Sequence, residues 1–182
     1  GDMDKAKRAI QEAVKEAEQM AGSEVGHVYV GIAGKNIALQ RAEGVVALNT
    51  NPKDLTLQTV TEESINKVKR AAMTSLQIHS GQEPIHEIPL KYTLDDDDQD
   101  SIQNPLGLSG TKLKATINVI TASASAVQNI RNCVRSAGLE TDAIVLEPLA
   151  SAESCLSDSE RQTGVCLIDI GHGTTDISVY HH

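Results

Sequence analysis

The residues best suited to chemistry form one motif near the end of the chain, Asp169-Ile170-Gly171-His172-Gly173-Thr174-Thr175-Asp176. An acidic residue closes an apolar run, and a Gly-x-Gly-Thr turn follows it. Glycines let a backbone approach a phosphate closely, amides and a threonine hydroxyl can donate to phosphate oxygens, and a carboxylate can hold a water of bound magnesium. The same spacing also suits an ordinary tight hairpin that needs glycine for positive φ. The motif alone leaves both interpretations open.

Other common catalytic and nucleotide-binding patterns do not occur in the sequence. It contains neither a Gly-x-x-x-x-Gly-Lys loop nor a Gly-x-Gly-x-x-Gly turn, which disfavours two widespread nucleotide-binding folds. No residue stands in a Gly-x-Ser-x-Gly nucleophile elbow, and His27, His79 and His86 lack the spacing of metal ligands. The run from Asp95 to Asp100 lacks the sixth-position glycine and closing glutamate of a calcium loop, so it predicts a solvated loop without metal.

Two apolar runs must position the Gly-rich turn. Residues 165–170 and 175–180 have strand character, and the short turn between them predicts a hairpin. Upstream, the pattern predicts a short buried strand, a helix that follows Pro148 and a polar loop, over residues 143–147, 149–156 and 157–164 respectively.

Three further helices are predicted from apolar residues at helical spacing. The first runs from Asp4 to Ala21 and ends at Gly22, and the second begins with a capped, acidic turn at Thr61 and ends before Ser80. The third carries an apolar stripe and stops at Gly138, which suits the left-handed conformation. That stripe consists of Val127, Ile130, Val134 and Ala137.

Strands are predicted between these helices. Residues 27–33 predict a strand, and residues 37–48 predict one or two further strands broken at Glu43-Gly44. Together they predict a small antiparallel meander. Residues 85–94 predict an edge or bulged strand, because Pro89 lacks an amide hydrogen. Residues 112–121 alternate and then turn apolar, as a strand entering a core does.

Composition excludes several classes of protein. The chain has 182 residues and a net charge of -9, which argues against nucleic acid or an anionic membrane as the main partner. It has no Trp, no Phe and only 3 Tyr, so stacking platforms for nucleic-acid bases are nearly absent.

No apolar run spans a bilayer, and no signal peptide is evident, so we expect a cytoplasmic protein. The three cysteines, Cys133, Cys155 and Cys166, predict small core residues in a reducing compartment.

The motifs together resemble a known superfamily. Glu147-Pro148-Leu149-Ala150-Ser151-Ala152, followed by a strand and the Gly-rich motif, is similar to the second phosphate loop of the actin, Hsp70 and sugar-kinase superfamily. Three further phrases resemble the FtsA family of bacterial actin-like cell-division proteins. They are Val30-Gly31-Ile32-Ala33-Gly34-Lys35-Asn36-Ile37, Ile85-His86-Glu87-Ile88-Pro89 with Tyr92, and Asn104-Pro105-Leu106-Gly107-Leu108-Ser109-Gly110.

The resemblance implies a mixed α+β and α/β fold with a divided chain. Residues 1–24 and 113–164 would form part of an actin-like, ribonuclease H-like subdomain 1A. Residues 25–112 would be the inserted small α/β subdomain 1C, an interaction module. Residues 165–182 would be the first hairpin of subdomain 2A. On this view the sequence is a fragment of a longer protein.

The resemblance also implies roles for the residues of the motif. Asp169 would help place a magnesium ion through water, the turn Gly171-His172-Gly173-Thr174-Thr175 would contact nucleotide phosphates, and Glu147 would lie near the attacking water. His172 departs from the Gly-Gly-Gly-Thr pattern usual in the family and puts a side chain against the phosphate path. Because the first phosphate hairpin and the adenosine-binding segments would lie outside this sequence, we expect ATP with magnesium to serve the full-length family but not to bind this fragment.

The expected function is that of a cell-division protein without enzyme activity of its own. Full-length relatives would link the tubulin-like FtsZ ring to the membrane at the division septum, through segments that this sequence lacks. Subdomain 1C would bind other FtsA copies and late divisome proteins, and the terminal hairpin would leave an open edge for self-association. An actin-like or Hsp70-like ATPase that uses the Gly-rich loop remains the alternative, as does a free-standing adaptor.

Overall fold

A computed structural model describes residues 2–34, 37–49, 56–95, 101–171 and 175–180. The chain forms two compact units, residues 38–121 and residues 1–37 with 122–182. The helices are α1 (Met3–Ala21), α2 (Glu62–Ser75), α3 (Ala124–Ser136), α4 (Glu147–Cys155) and α5 (Asp158–Thr163). The strands are β1 (His27–Ile32), β2 (Ile37–Ala47), β3 (Gln58–Thr59), β4 (Gln82–Leu94), β5 (Ser109–Gly110), β6 (Lys112–Ser123), β7 (Glu140–Leu146), β8 (Val165–Ile170) and β9 (Thr175–Tyr180).

The unit formed by residues 38–121 has its own hydrophobic core. Its main sheet has the strand order β2-β6-β4, and α2 packs on one face of that sheet. Apolar residues alternate along β6, so one face of this central strand is buried against the helix. The fully aliphatic centre of the core comprises Val60, Val68, Ala72, Leu113, Ala115, Ile117 and Val119.

Strand β2 is continuous, so the break predicted at Glu43-Gly44 is wrong. Gly44 lies inside the strand, and a Cβ atom there would overlap the Val68 carbonyl oxygen and the Ala72 amide. The glycine is therefore required by the close approach of α2 to the sheet and not by a turn. A turn and a close contact both select glycine, which is why the sequence alone could not separate them.

The predicted start of α2 is confirmed, and of the two positions predicted for β4, an edge or a bulge, the structure shows the edge. Thr61 caps the helix, its side chain accepts from the Ser64 amide, and the Ser64 hydroxyl accepts from the Thr61 amide. Strand β4 lies at the edge of the three-stranded sheet and contains Pro89. An edge position accommodates a residue without an amide hydrogen.

The other unit is built around a parallel pair of strands. β1 pairs with β7 in parallel, whereas β2 pairs with β6, so the antiparallel meander predicted for residues 27–48 is wrong. Helices α3 and α4 contact β7, and α1 contacts α3. The connection between paired parallel strands is long, and pairing at such sequence separation is not visible in local alternation.

The segment predicted as a polar loop over residues 157–164 contains a short helix instead. α5 begins after Ser157, whose side chain accepts from the Glu160 amide, while the Glu160 carboxylate accepts from the Ser157 amide and hydroxyl. This capping box satisfies the free amides of the first turn. The polar residues that suggested a loop are the capping residues of a helix.

The boundaries between the two compact units differ from the subdomain boundaries that the sequence predicted. The second unit begins at Ala38 and ends at Thr121, where we expected residues 25 and 112. Strand β1 lies in the first unit because it pairs with β7, and β6 supplies core residues of the second unit as far as Val119. The assignment of these segments to subdomains 1A, 1C and 2A stays a prediction.

Candidate functional site

The strands that carry the Gly-rich motif form an antiparallel hairpin, as predicted. Asp169 of β8 lies opposite Asp176 of β9, and Ile170 lies opposite Thr175. Gly171 follows β8 directly and is exposed. Of the predicted phosphate-contacting residues, His172, Gly173 and Thr174 lie outside the described residues. The described part of the hairpin therefore presents two aspartates on one face, at the end next to the turn.

Helix α4 packs against this hairpin and positions one of the aspartates. The Ser151 hydroxyl donates to Asp169 Oδ2 at 2.9 Å. α4 begins at Glu147 and carries Pro148 in its first turn, where a missing amide hydrogen costs nothing. Glu147 and Ser151 are four residues apart and share one face of the helix, so Glu147 lies about 6 Å along the axis from Ser151.

Glu147 lies over a glycine of the parallel strand pair. A Cβ atom at Gly31 of β1 would come within 2.8 Å of the Glu147 Cγ and 3.2 Å of its Oε1. Gly31 therefore leaves the space that the Glu147 side chain occupies at the start of α4. Sequence reasoning placed Glu147 and Asp169 at the site but missed the supporting roles of Gly31 and Ser151. The only signal was the presence of both residues in phrases that resemble the family.

This arrangement offers oxygen acceptors and few donors. Glu147, Asp169 and Asp176 supply carboxylates, and the Ser151 hydroxyl already donates to Asp169. Within the described ranges, no group of three or more acidic, His or Cys residues is placed to hold a metal ion directly. The role of Asp169 in placing a magnesium ion through water stays a prediction.

The opposite face of the hairpin is apolar and exposed. Ile168, Ile170, Ile177 and Val179 are 55%, 78%, 65% and 64% exposed respectively. Cys166 lies on the same face and is exposed, and Cys155 is exposed at the end of α4, whereas Cys133 is half-buried. The prediction that all three cysteines are core residues is therefore wrong for Cys155 and Cys166, which are at the ends or outer faces of their elements.

The middle of the chain matches a known protein family. Residues 34–121 match the family described as the SHS2 domain inserted in FtsA. These limits agree closely with the compact unit formed by residues 38–121. Among the described residues, no helix is long and apolar enough to span a membrane.

Relatives of known function match nearly the whole chain. It is 42% identical to the cell division protein FtsA of Pseudomonas aeruginosa over 95% of this chain and 39% of that protein. It is 36% identical to FtsA of Neisseria meningitidis, covering 98% of this chain and 41% of the relative. It is 35% identical to FtsA of Escherichia coli over 98% of this chain and 40% of that protein. The chain thus spans about two fifths of the length of the relatives it matches.

A solved structure supports the fold alone. A chain of the PilM-PilN type IV pilus biogenesis complex matches with a TM-score of 0.52 at 16% identity, covering 94% of this chain and 44% of that one. The chain thus has a mixed α/β fold of the actin-like class, with an insertion that matches the SHS2 domain inserted in FtsA. More particularly, the chain is related to the bacterial cell-division protein FtsA, which confirms the resemblance seen in its motifs.

Proposed function

We propose that this chain acts in bacterial cell division as part of an FtsA-type protein, in which residues 38–121 serve as a self-association and partner-binding module. In the whole protein we place the chain at the septum, on the inner face of the membrane. There the protein links the tubulin-like FtsZ ring to the membrane and recruits later divisome proteins. The observation that carries the proposal is the match of residues 34–121 to the SHS2 domain inserted in FtsA.

The architecture of the inserted unit supports a binding role. Residues 38–121 have a separate core of aliphatic side chains around Val68, Leu113 and Ile117. A unit with its own core can present a surface without relying on the fold into which it is inserted. The hydrogen bond between Ser151 and Asp169 belongs to the other unit.

The hairpin of the other unit supports self-association. Four exposed aliphatic side chains lie on one face of β8 and β9, and in the described part of the chain β9 pairs only with β8. Exposed apolar faces and unpaired strand edges both favour association with another chain. A second copy that covers this face would remove Ile168 and Ile177, which lie directly opposite each other, from water.

We further propose that the chain alone does not bind ATP usefully. Asp176 lies opposite Asp169 on the hairpin, and two carboxylates repel phosphates unless a cation and further donors intervene. An ATP site of the actin-like type would also need the residues that hold the adenosine. The alternative is an actin-like or Hsp70-like ATPase that uses the Gly-rich turn, and the contact between Ser151 and Asp169 favours it because it fixes the orientation of a carboxylate at that turn.

A chimeric protein tests the division role. The matching segment of the Pseudomonas aeruginosa FtsA is replaced by this chain, and the chimera is expressed in cells depleted of their own FtsA. We expect cells that divide at normal length, with the chimera at mid-cell by fluorescence. A chimera that accumulates to the normal level but leaves the cells filamentous would contradict the proposal. The matched control is the same chimera with Gly44→Glu, which we expect to unfold residues 38–121.

Calorimetry distinguishes the proposed binding module from the alternative, an ATPase. Magnesium ATP is titrated into the chain and into its Asp169→Ala variant. We expect no saturable heat from either protein. Saturable heat with a micromolar Kd that disappears in Asp169→Ala would overturn the proposal and favour the ATPase.

A further inference from the structure

A cleft in the inserted unit lies between α2 and the edge strand β4. It has a volume of about 750 Å³, and its lining residues are Glu63, Asn66, Lys69, Arg70, Met73 and Glu87. Five of these six lie along one flank of α2, and Glu87 belongs to β4. The cleft is thus a groove with one helical wall and one strand wall, and it lies within a single compact unit.

The helical wall carries two cations, Lys69 and Arg70, beside one carboxylate, Glu63. Glu63 pairs with Lys67 at 2.7 Å, one turn along the helix. This ion pair holds the pKa of the Glu63 carboxyl below its usual range, with a smaller contribution from Arg70. Neither Lys69 nor Arg70 forms an ion pair of its own with any residue in the described ranges. The groove lining thus carries two cations and two carboxylates, of which Glu63 is already paired with Lys67 and Glu87 forms no ion pair within the described ranges.

The strand wall is an edge with open backbone groups. In the order β2-β6-β4, the strand β4 has a neighbour on one side. Its other backbone contacts among the described residues lie near its ends, in the bridge from Tyr92 to Ile102 and the hydrogen bond from the Gln82 amide to the His79 carbonyl. The part of β4 beside Glu87 therefore has an edge to which an extended chain can add. A strand added there presents alternate side chains to α2, because successive side chains of a strand point to opposite faces.

These features define one kind of occupant. We propose that the groove between α2 and β4 binds an extended acidic segment of a partner protein, whose backbone pairs with the edge of β4 and whose carboxylates meet Lys69 and Arg70. Alternating acidic and apolar residues match the groove, because Met73 supplies an apolar contact beside the two cations. The inference rests on the proposed role of residues 38–121 as a partner-binding module, and it names the chemistry of one partner.

A designed peptide tests the groove on the whole chain. The probe is a fluorescein-labelled peptide of sequence Glu-Val-Glu-Val-Glu-Val-Glu, and the readout is fluorescence anisotropy at low ionic strength. We expect saturable binding that weakens about tenfold in Lys69→Glu/Arg70→Glu, because each surface ion pair contributes only a few-fold to affinity. Removing the repulsion on the strand wall with Glu87→Gln should strengthen binding about threefold by the same reasoning. The peptide Lys-Val-Lys-Val-Lys-Val-Lys should not bind.

Controls separate the groove from a general charge effect. Arg41→Glu changes an exposed cation on β2 and should leave binding within about twofold of the unmodified chain. If the double charge reversal disturbs folding by circular dichroism, Lys69→Gln/Arg70→Gln replaces it, with about a threefold loss expected. No saturable binding, or equal losses in Arg41→Glu and in the groove variants, would overturn the inference.

The peptide experiment and the chimera experiment can fail separately. Normal division of the chimera without peptide binding would reject the groove and leave the proposed function standing. Peptide binding together with filamentous cells would support the groove and reject the proposed division role. Peptide-independent self-association that disappears in Lys69→Glu/Arg70→Glu would show that the groove takes a second copy of the chain, and it would overturn the choice of a separate partner.

Discussion

The hydroxyl of Ser151 donates to Asp169 Oδ2 at 2.9 Å and joins helix α4 to the hairpin of β8 and β9. The bond fixes one carboxylate beside the Gly-rich turn. It also holds the hairpin against the helix at its turn end, where β8 and β9 are otherwise exposed on their apolar face. A single side chain of α4 thus contributes to both the position of the hairpin and the geometry of the candidate site.

We predict that Ser151→Ala loosens the hairpin without unfolding the unit. An exposed hydrogen bond of this kind contributes about 0.5–1.5 kcal/mol, so hydrogen exchange of the β8 amides should become several-fold faster. Exchange measured by mass spectrometry on the intact chain is the test. The control is Ser154→Ala, because the Ser154 hydroxyl donates within α4 to the Ser151 carbonyl. Equal exchange rates in both variants would contradict the role of the bond.

We predict that Gly44→Ala strongly destabilises the unit of residues 38–121. The added Cβ atom would overlap the Val68 carbonyl oxygen and the Ala72 amide, and backbone atoms of a helix cannot move aside as a side chain does. The cost should reach about 3 kcal/mol, at the upper end for overpacking, and urea unfolding measures it. Gly26→Ala is the matched control, since nothing lies within 4 Å of its added Cβ. A loss below about 1 kcal/mol would contradict the tight approach of α2 to β2.

The elements that depend on local sequence were predictable, and those that depend on distant contacts were not. Helix α2 and its cap at Thr61 follow from spacing and polarity within one segment. The parallel pairing of β1 with β7 joins residues more than a hundred positions apart, for example His27 with Glu140, and local alternation carries no information about it. Asp169 could be identified because it belongs to a local motif. The role of Gly31 could not, because it depends on the position of the Glu147 side chain, which lies far away in the sequence.

We predict that Asp95 makes the inserted unit lose stability in acid. Its Oδ1 accepts from the Thr111 hydroxyl at 2.6 Å, the Thr111 amide at 2.7 Å and the Lys112 amide at 3.0 Å. The Thr111 side-chain and backbone hydrogen bonds hold the pKa of Asp95 below its usual value of 3.8. Because the folded pKa is the lower one, this contribution is complete above the unfolded pKa and disappears as the pH falls through the folded pKa.

Asp95→Asn tests this contribution. The variant should flatten the decline in stability below about pH 4, measured by urea unfolding from pH 6 to pH 3. Asparagine also tolerates the positive φ of 53° at this position, so the change isolates the charge. Glu24→Gln, in the other unit, serves as the control. An unchanged acid slope in Asp95→Asn would reject the role of the three hydrogen bonds.

We predict the opposite pH dependence for His27, at the start of the parallel strand pair. Its Nδ1 lies 2.9 Å from Asp142 Oδ1 and 3.9 Å from Glu140 Oε2. The hydrogen bond to Asp142, then the charges of Asp142 and Glu140, raise the pKa of His27 above 6.5. A raised folded pKa means that the contribution is complete below the unfolded pKa and is lost as the pH rises through the folded one. NMR titration of the His27 ring should show a pKa above 6.5 that falls in Asp142→Asn, whereas Asp158→Asn should leave it unchanged. An unshifted His27, or an equal change in both variants, would show that the two carboxylates do not stabilise its charge.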